Sequence, residues 1–430
     1  MRRVYPASRL SGSVLVPADK SISHRYAIIG SMAEGITRIS NFSPSHDCRS
    51  TLACMQELGV RIQQDEVATV VESPGWEHLR QPAGRLDAGN SGTTIRLLSG
   101  LLASRPFCTT IAGDASLNQR PMKRVMNPLR MMGAAIEARD GEFPPLKITG
   151  TRLSPIRYPL PVASAQVKSC VLLAGLTAEG MTTVVENQAT RDHTERALPV
   201  FGVSVEKAGQ DTSVKGPARL LPADVQVPGD FSAAVYFILA ALLIPGSMVQ
   251  IPGVGLNPTR SELLKLLIES GGDVRVLNRS ERDNEPRGDL EVHYSPAILD
   301  SFPEELSGAL IPNIIDEIPA LAVFGVKLKK GLTVRGAEEL RKKESDRIHS
   351  VVSNLRRIKI EVEELTDGFK IPPGQRISGG PITTFADHRI AMAFGIAGLL
   401  AENPVEIDDA VCAAISFPDF FSKLELIAGS

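Results

Sequence analysis

Six imperfect copies of one α/β pattern run along this chain of 430 residues and constrain its fold more than any other feature. Each copy begins with a short polar anchor and continues into an Ala/Leu-rich helix that is apolar almost all round. A Gly or Pro turn, a β-branched strand and an amphipathic helix ending near Gly follow. The pattern recurs about every 65 to 85 residues, which is too long for a common solenoid repeat. The anchors begin at Lys20, Gly89, Ser164, Val227, Asp316 and Asp387.

The repeat predicts an α/β protein of two similar domains, each made of three β/α units packed around buried helices. A helix that is apolar all round has to be buried, whereas the amphipathic helix of each copy can cover the core with one face. A chain of this length is too long for one ordinary core. Val16-Pro17-Ala18-Asp19 mirrors Val227-Pro228-Gly229-Asp230, so we interpret these segments as two crossings between the domains. The predicted domains are 20–228, and 1–19 together with 229–430.

Composition excludes several classes of protein. A formal net charge of −2 argues against a nucleic-acid-binding surface. The five cysteines are scattered and lack C-x-x-C spacing, which indicates reduced thiols and a cytoplasmic protein. No H-x-x-x-H pair occurs, so no metal site is expected. The longest apolar stretch, 233–245, is too short for a membrane span, and the N-terminus lacks a signal-peptide pattern, so no membrane partner is expected.

The first anchor has the features of an anion site. Lys20 and Arg25 flank a predicted helix start, which we place at Ser21 or Ser23 because Ser is a good N-cap. Unpaired backbone N–H groups at a helix start suit a phosphate or carboxylate; a surface turn with scattered charges is the alternative. If the anchors converge where the two domains face each other, their cations form one site for several anionic groups. These cations are Lys20, Arg25, Arg120, Arg191, Lys343, Arg347 and Arg389.

Two carboxylates accompany the anchor cations. Asp316 and Glu344 should be ionised among so many cations, and either could act as a base towards a substrate hydroxyl. A charge-balancing salt bridge is the alternative for each. Lys343 and Arg347 stand at i and i+4, which predicts that they share one helix face. The turn Gly89-Asn90-Ser91-Gly92-Thr93 could approach an anion or act only as a helix N-cap, and it lacks the Gly-Lys-Ser/Thr ending of a nucleotide-binding P-loop.

Seven motifs stand in order along the chain. They are Asp19-Lys20-Ser21-x-x-x-Arg25, Gly89-Asn90-Ser91-Gly92-Thr93, Gln119-Arg120-Pro121-Met122, Ser164-Ala165-Gln166-Val167-Lys168, Lys343-Glu344-Ser345-Asp346-Arg347, Asp387-His388-Arg389 and Ser416-Phe417-Pro418-Asp419-Phe420. In these motifs, and from residue 10 to 425, the chain resembles the 5-enolpyruvylshikimate-3-phosphate synthase (EPSP synthase) family. The resemblance implies the enolpyruvyl transferase fold, an inside-out α/β barrel of two domains with the active site in the interdomain cleft. It also implies transfer of the enolpyruvyl group of phosphoenolpyruvate to the 5-hydroxyl of shikimate 3-phosphate through a tetrahedral intermediate.

The resemblance also implies roles for individual residues. Asp316 would accept the hydroxyl proton, and Lys20 and Glu344 would carry protons at the other carbon. Shikimate 3-phosphate would be bound by Lys20, Ser21, Arg25, Ser164, Ala165, Gln166, Arg191, Asp316 and Lys343. Phosphoenolpyruvate would be bound by Lys20, Gly92, Arg120, Gln166, Arg347 and Arg389. A monomer with no required cofactor is expected; stimulation by a monovalent cation, reported for some class II relatives, stays open. Glyphosate competes with phosphoenolpyruvate in this family.

The chain departs from the family pattern at two positions. Many members have Gly where Ala18 stands, and many have a phosphoenolpyruvate-binding Lys where this chain has Ile415. Three motifs resemble those of the branch called class II. They are Ser164-Ala165-Gln166-Val167-Lys168, Arg191-x-His193-x-Glu195 and Asn257-Pro258-Thr259-Arg260.

Two other functions are weighed against this one. The UDP-N-acetylglucosamine enolpyruvyl transferase family has a reactive Cys five residues before the Arg that corresponds to Arg120, and Ala115 occupies that position here. An inert scaffold that binds anionic metabolites would be favoured by loss of Lys20, Asp316 or Arg389, and all three are present.

Overall fold

The computed structural model describes residues 1–429 and divides into two compact units. The N-terminal unit comprises Ala18–Val227 and Arg282–Glu285, and the C-terminal unit comprises Met1–Pro17, Pro228–Glu281 and the chain from Pro286 onward. Each unit has its own hydrophobic core. The strands form six small sheets, three in each unit.

The strands are short, and most have fewer than eight residues. In chain order they are β1 (Arg2–Val4), β2 (Ser11–Ser13), β3 (Glu34–Ser40), β4 (Arg61–Gln64), β5 (Ala68–Pro74), β6 (Leu86–Asp87), β7 (Cys108–Ala112), β8 (Ala135–Arg139), β9 (Phe143–Thr149), β10 (Arg157–Pro159), β11 (Gly180–Val185), β12 (Val205–Ala208), β13 (Asp211–Gly216), β14 (Asp224–Gln226), β15 (Met248–Gly255), β16 (Val274–Arg282), β17 (Glu285–His293), β18 (Glu305–Leu306), β19 (Leu332–Val334), β20 (Glu363–Leu365), β21 (Gly368–Ile371), β22 (Gly380–Ile382) and β23 (Val405–Ile407).

The helices alternate with these strands. They are α1 (Lys20–Met32), α2 (His46–Glu57), α3 (Gly92–Leu102), α4 (Lys123–Met131), α5 (Ala165–Gly175), α6 (His193–Val200), α7 (Phe231–Leu243), α8 (Glu262–Glu269), α9 (Ile298–Ser301), α10 (Ile311–Ile314), α11 (Ile318–Lys327), α12 (Arg347–Arg357), α13 (His388–Leu400) and α14 (Phe420–Ala428). Short 3₁₀ helices cover Trp76–His78, Leu117–Gln119, Gly308–Leu310, Glu338–Lys342 and Val411–Ile415.

The five four-stranded sheets share one order of strands, and the sixth sheet, β1-β23-β22, has three strands. In the N-terminal unit the orders are β14-β3-β5-β4, β6-β7-β9-β8 and β10-β11-β13-β12. The first pair in each order is parallel, and the remaining pairs are antiparallel. In the C-terminal unit, β2 pairs in parallel with β15 and β1 pairs with β23, so the N-terminal strands complete sheets whose other strands come from the second half of the chain. The repeat in the sequence therefore corresponds to a repeat of one α/β unit.

The six helices that follow the anchors lie in the two cores. These helices are α1, α3 and α5 in the N-terminal unit and α7, α11 and α13 in the C-terminal unit, and every residue of α7 is buried. Helices α3 and α5 approach so closely that a Cβ at Gly100 would lie 2.3 Å from the backbone oxygen of Cys170. The outer helices bury only part of their surface, as α4 and α12 illustrate. The predicted α/β architecture built around buried helices is confirmed.

Two local predictions were wrong. Helix α1 begins at Lys20 and not at Ser21 or Ser23, because the carboxylate of Asp19 accepts the N–H of Ile22 at 2.9 Å and caps the helix. Lys343 and Arg347 do not share a helix face. Asp346 caps α12 at its first residue, Arg347, so Lys343 lies in the preceding segment.

No single helix among residues 1–429 has both the length and the apolar composition of a membrane span. One pair, Gly308–Ile314 with Ile318–Lys327, meets these two criteria together, and its helices are bent by 113° relative to each other.

Candidate active site

Six of the nine predicted ligands of the N-terminal unit lie at the starts of its three buried helices. Each start is capped by a side chain, because Asp19, Ser91 and Ser164 accept the backbone N–H groups of Ile22, Thr94 and Val167 at 2.9, 3.0 and 3.4 Å. Lys20 and Ser21 begin α1, Gly92 begins α3, and Ala165 and Gln166 begin α5. These positions offer backbone N–H groups and a positive dipole end to an anion.

Arg25 is buried and its guanidinium is held on three sides. It donates to the backbone oxygen of Ser21, to the hydroxyl of Ser169 and to the hydroxyl of Thr194, each at 2.8 Å. Burial and, to a smaller extent, the charge of Arg191 lower the pKa of Arg25 to about 10, although Glu195 opposes the shift. Arg25 is thus fixed at one orientation, and Arg191 lies near enough to act on its charge.

The Gly92 turn lies against two guanidinium groups. A Cβ at Gly92 would be 3.0 Å from Nη1 of Arg96 and 3.5 Å from Nη1 of Arg120. Arg120 donates to the side-chain oxygen of Asn90 at 2.7 Å, and Arg96 donates to Oε1 of Gln166 at 2.6 Å. The structure therefore brings Gly92, Arg120 and Gln166 together, as their assignment to one ligand requires.

Lys20 forms an ion pair with Asp47 in which Nζ and Oδ2 are 2.8 Å apart. The neighbouring His24 is fully buried, and its Nδ1 lies 2.7 Å from the hydroxyl of Thr51. Burial lowers the pKa of His24 to about 3, so this imidazole is neutral at physiological pH. His24 therefore supports the site as a neutral hydrogen-bonding group.

Asp316 in the C-terminal unit lies among four cations. Its Oδ1 is 3.7 Å from Nζ of Lys343 and 3.6 Å from Nη1 of Arg347. Its Oδ2 is 3.7 Å from both Arg260 Nη1 and Arg389 Nη2. Such surroundings favour the carboxylate form of an acid.

Arg347 and Arg389 are buried and strongly compensated by acids. Arg347 is 2.8 Å from Oδ2 of Asp387 and 2.5 Å from Oε2 of Glu344, while Arg389 donates to the backbone oxygen of Asp316 at 2.8 Å. Burial works against both charges, but Asp387 and Glu344 raise the pKa of Arg347, and Asp316 foremost raises that of Arg389. Burial likewise opposes ionisation of Asp387, but Arg347 outweighs it and holds the pKa of Asp387 below its usual value. Both guanidinium groups stay charged while buried, as anion ligands must.

The predicted residues fall into two groups. Asp316, Lys343, Glu344, Arg347 and Arg389 form one connected ion network in the C-terminal unit. The other group lies in the N-terminal unit and comprises Lys20, Ser21, Arg25, Gly92, Arg120, Ser164, Ala165, Gln166 and Arg191.

Sequence reasoning missed three charged residues of these networks. Asp47 pairs with Lys20, Arg96 with Gln166, and Arg260 with Asp316. Arg260 could have been found from the sequence, since it belongs to the Asn-Pro-Thr-Arg motif, whereas Asp47 stands in no motif.

Ile415 packs against the hydrophobic core and is partly buried, and its apolar side chain supplies no cation at that position. Among residues 1–429, no group of three or more His, Cys, Asp or Glu could hold a metal ion.

Comparison with known proteins gives consistent results. The family model for EPSP synthase (3-phosphoshikimate 1-carboxyvinyltransferase) matches residues 4–424. A 3-phosphoshikimate 1-carboxyvinyltransferase of Solibacter usitatus is 50% identical over 99% of both chains, and one of Shouchella clausii is 46% identical over 97% of this chain and 96% of its own.

Solved structures extend this similarity to the fold. EPSP synthase from Acinetobacter baumannii matches with a TM-score of 0.87 and 39% identity, covering 99% of this chain and 97% of its own. The enolpyruvyl transferase NikO from Streptomyces tendae matches at 0.77 with 20% identity over 99% of this chain and 96% of its own, so it shares the fold. The chain therefore belongs to the EPSP synthase family and has its activity, the 3-phosphoshikimate 1-carboxyvinyltransferase reaction of aromatic amino acid biosynthesis.

Proposed function

We propose that Asp316 is the base of this reaction and accepts the proton of the 5-hydroxyl of shikimate 3-phosphate. The observation that carries the proposal is the position of this carboxylate among four cations, each 3.6 or 3.7 Å from one of its oxygens. Those cations keep the carboxylate ionised before substrate arrives. They can also balance the two phosphates and two carboxylates that the substrates bring.

The remaining steps are assigned to Lys20 and Glu344. As Asp316 takes the proton, the 5-oxygen attacks C2 of phosphoenolpyruvate, and a proton is delivered to C3 to give the tetrahedral intermediate. Removal of a proton from C3 then expels phosphate and leaves the enolpyruvyl ether. Lys20 is held by Asp47 at 2.8 Å and Glu344 by Arg347 at 2.5 Å, so both proton carriers are oriented by an ion pair.

Substrate binding is assigned to both units. Shikimate 3-phosphate is bound by Lys20, Ser21, Arg25, Ser164, Ala165, Gln166, Arg191, Asp316 and Lys343. Phosphoenolpyruvate is bound by Lys20, Gly92, Arg120, Gln166, Arg347 and Arg389. Each set contains residues of the N-terminal and of the C-terminal unit, so substrate binding as proposed requires both units.

Finer features belong to the same proposal. The enzyme is of class II, supported by the motifs that contain Lys168, Glu195 and Arg260. It acts as a cytoplasmic monomer with no required cofactor and no nucleic-acid or membrane partner. Elution on a calibrated sizing column with light scattering tests the monomer, and activity in potassium against choline salts tests for stimulation by a monovalent cation.

A phosphate-release assay with phosphoenolpyruvate and either shikimate 3-phosphate or UDP-N-acetylglucosamine tests the acceptor. Phosphate should appear with shikimate 3-phosphate alone, because Ala115 stands where the sibling family has its reactive Cys. Release with the nucleotide sugar at a comparable rate would contradict the assignment. The variant Asp316→Asn tests the base.

A further inference from the structure

Lys168 is a buried lysine that the reaction scheme does not use. It lies on α5 with a side chain 1% exposed, and its Nζ is 2.7 Å from Oε1 of Glu195 and 2.9 Å from Oε2 of Glu186. The backbone oxygen of Thr190 lies 3.4 Å away. A buried ammonium persists only when nearby charges and hydrogen bonds compensate it. All three of its partners belong to one stretch, residues 186–195, which also carries Arg191.

The two segments joined by this ion pair also hold Arg25. Ser169 directly follows Lys168, and Thr194 directly precedes Glu195. Their hydroxyls lie 2.7 Å apart, and each accepts a hydrogen bond of 2.8 Å from Arg25. Any shift of the 186–195 stretch relative to α5 would therefore move an acceptor of Arg25.

Glu195 also interacts electrostatically with Arg25. Burial lowers the pKa of Arg25 to about 10, and Glu195 is the strongest of the charges that oppose this shift. Glu195 is thus near two buried cations, Lys168 and Arg25. Without the ammonium of Lys168, the carboxylate of Glu195 would act more strongly on Arg25 and would compete with an incoming phosphate for the guanidinium.

We propose that Lys168 is a positioning residue for shikimate 3-phosphate, which engages Glu195 and anchors residues 186–195 so that Arg25 faces the substrate. This inference rests on the proposed role of Arg25. Lys168 itself touches no substrate atom in this scheme, so its removal should raise the KM for shikimate 3-phosphate more than that for phosphoenolpyruvate. A hydrogen bond to a charged group is worth about tenfold to a hundredfold in affinity, which sets the expected size of the effect.

The test compares Lys168→Met with the double variant Lys168→Met/Glu195→Gln in the phosphate-release assay. Lys168→Met should raise the KM for shikimate 3-phosphate about tenfold or more, with less than a threefold change for phosphoenolpyruvate. The double variant should recover part of that loss, because a neutral amide no longer competes for Arg25 although residues 186–195 still lack their anchor. A role in packing alone predicts no such recovery. Lys207→Met is the matched control, since it removes an exposed lysine 3.8 Å from the same Oε1 of Glu195, and its KM values should stay within twofold.

Three outcomes would overturn the proposal: equal rises of both KM values, no recovery in the double variant, or a normal KM in Lys168→Met. If Lys168→Met does not fold, Thr194→Val takes its place. It keeps the side-chain shape but removes one acceptor of Arg25, and an unchanged KM for shikimate 3-phosphate would count against the inference. Arg25→Ala distinguishes a failure of the role of Arg25 from a failure of the role of Lys168. A normal acceptor KM in that variant refutes the role of Arg25, whereas a raised KM there with a normal KM in Lys168→Met refutes the role of Lys168 alone.

Discussion

Replacement of Asp316 by Asn tests the proposed base, because it removes one charge and keeps the side-chain shape. Ion pairs in the C-terminal unit join five carboxylates, namely Asp230, Asp316, Glu317, Glu344 and Asp387, to four cations, namely Arg260, Lys343, Arg347 and Arg389. The variant leaves four carboxylates facing four cations, so the network as a whole becomes neutral. Arg389 keeps its hydrogen bond to the backbone oxygen of Asp316, and Lys343 is partly exposed to water. We therefore expect a loss of about 1–2 kcal/mol in the free energy of unfolding, below the 3–5 kcal/mol that an unpaired buried charge costs.

The catalytic effect should be far larger than this loss of stability. Removal of a general base typically lowers the rate about 10²- to 10⁴-fold, which corresponds to about 3–5 kcal/mol of transition-state stabilisation. Shikimate 3-phosphate should still bind, because Lys20, Ser21 and Arg25 are untouched. Steady-state phosphate release gives kcat, and isothermal titration calorimetry gives the dissociation constant of the acceptor.

Glu317→Gln is the matched control for charge. Glu317 is a buried neighbour whose Oε1 lies 3.3 Å from Nη1 of Arg260 and accepts the hydroxyl of Ser232. Glu317→Gln removes one negative charge from the network, as Asp316→Asn does. It should nevertheless lower kcat less than tenfold, since Glu317 is not assigned to proton transfer. A kcat of Asp316→Asn within threefold of the parent would refute the base. Equal losses in both variants would show that the charge of the network, and not a proton acceptor, is what matters.

Three further predictions follow from the same structure. Arg25→Ala should raise the KM for shikimate 3-phosphate at least tenfold with little effect on phosphoenolpyruvate, because a buried charge-assisted contact is lost; an equal rise of both constants in the phosphate-release assay would contradict this. Gly92→Ala adds a methyl 3.0 Å from Arg96 and 3.5 Å from Arg120, so it should crowd glyphosate more than the shorter phosphoenolpyruvate; the ratio of glyphosate Ki to phosphoenolpyruvate KM should rise about tenfold, and a constant ratio would contradict it. Burial lowers the pKa of His24 to about 3, so below pH 6.5 the unfolded chain binds a proton that the folded protein does not, and the free energy of unfolding falls by about 1.4 kcal/mol per pH unit towards pH 3. Urea unfolding from pH 7 to 5 should show a smaller slope for His24→Asn than for the parent. An equal slope in both proteins would refute this prediction.

The sequence by itself determined the parts of this protein that depend on local pattern. The six anchors, the all-round apolar helices and the amphipathic helices that follow were visible because hydrophobic periodicity reports which face of a helix is buried. Helix starts were less certain, because several polar residues can compete for one cap. Asp19, and not Ser21 or Ser23, is the N-cap of α1. Asp346 caps the helix that begins at Arg347, so Lys343 precedes that helix.

Only the tertiary structure decided which charges meet. Lys20 lies 27 positions from Asp47, Lys168 lies 27 from Glu195, and Arg260 lies 56 from Asp316, yet each pair is in contact. No sequence spacing encodes such pairs, because they arise where separate helices and loops pack together in one unit. Burial then fixes their strength, since the same two charges attract far more strongly in a core than in water. The sequence therefore supplied the candidate groups, and packing selected the partner of each.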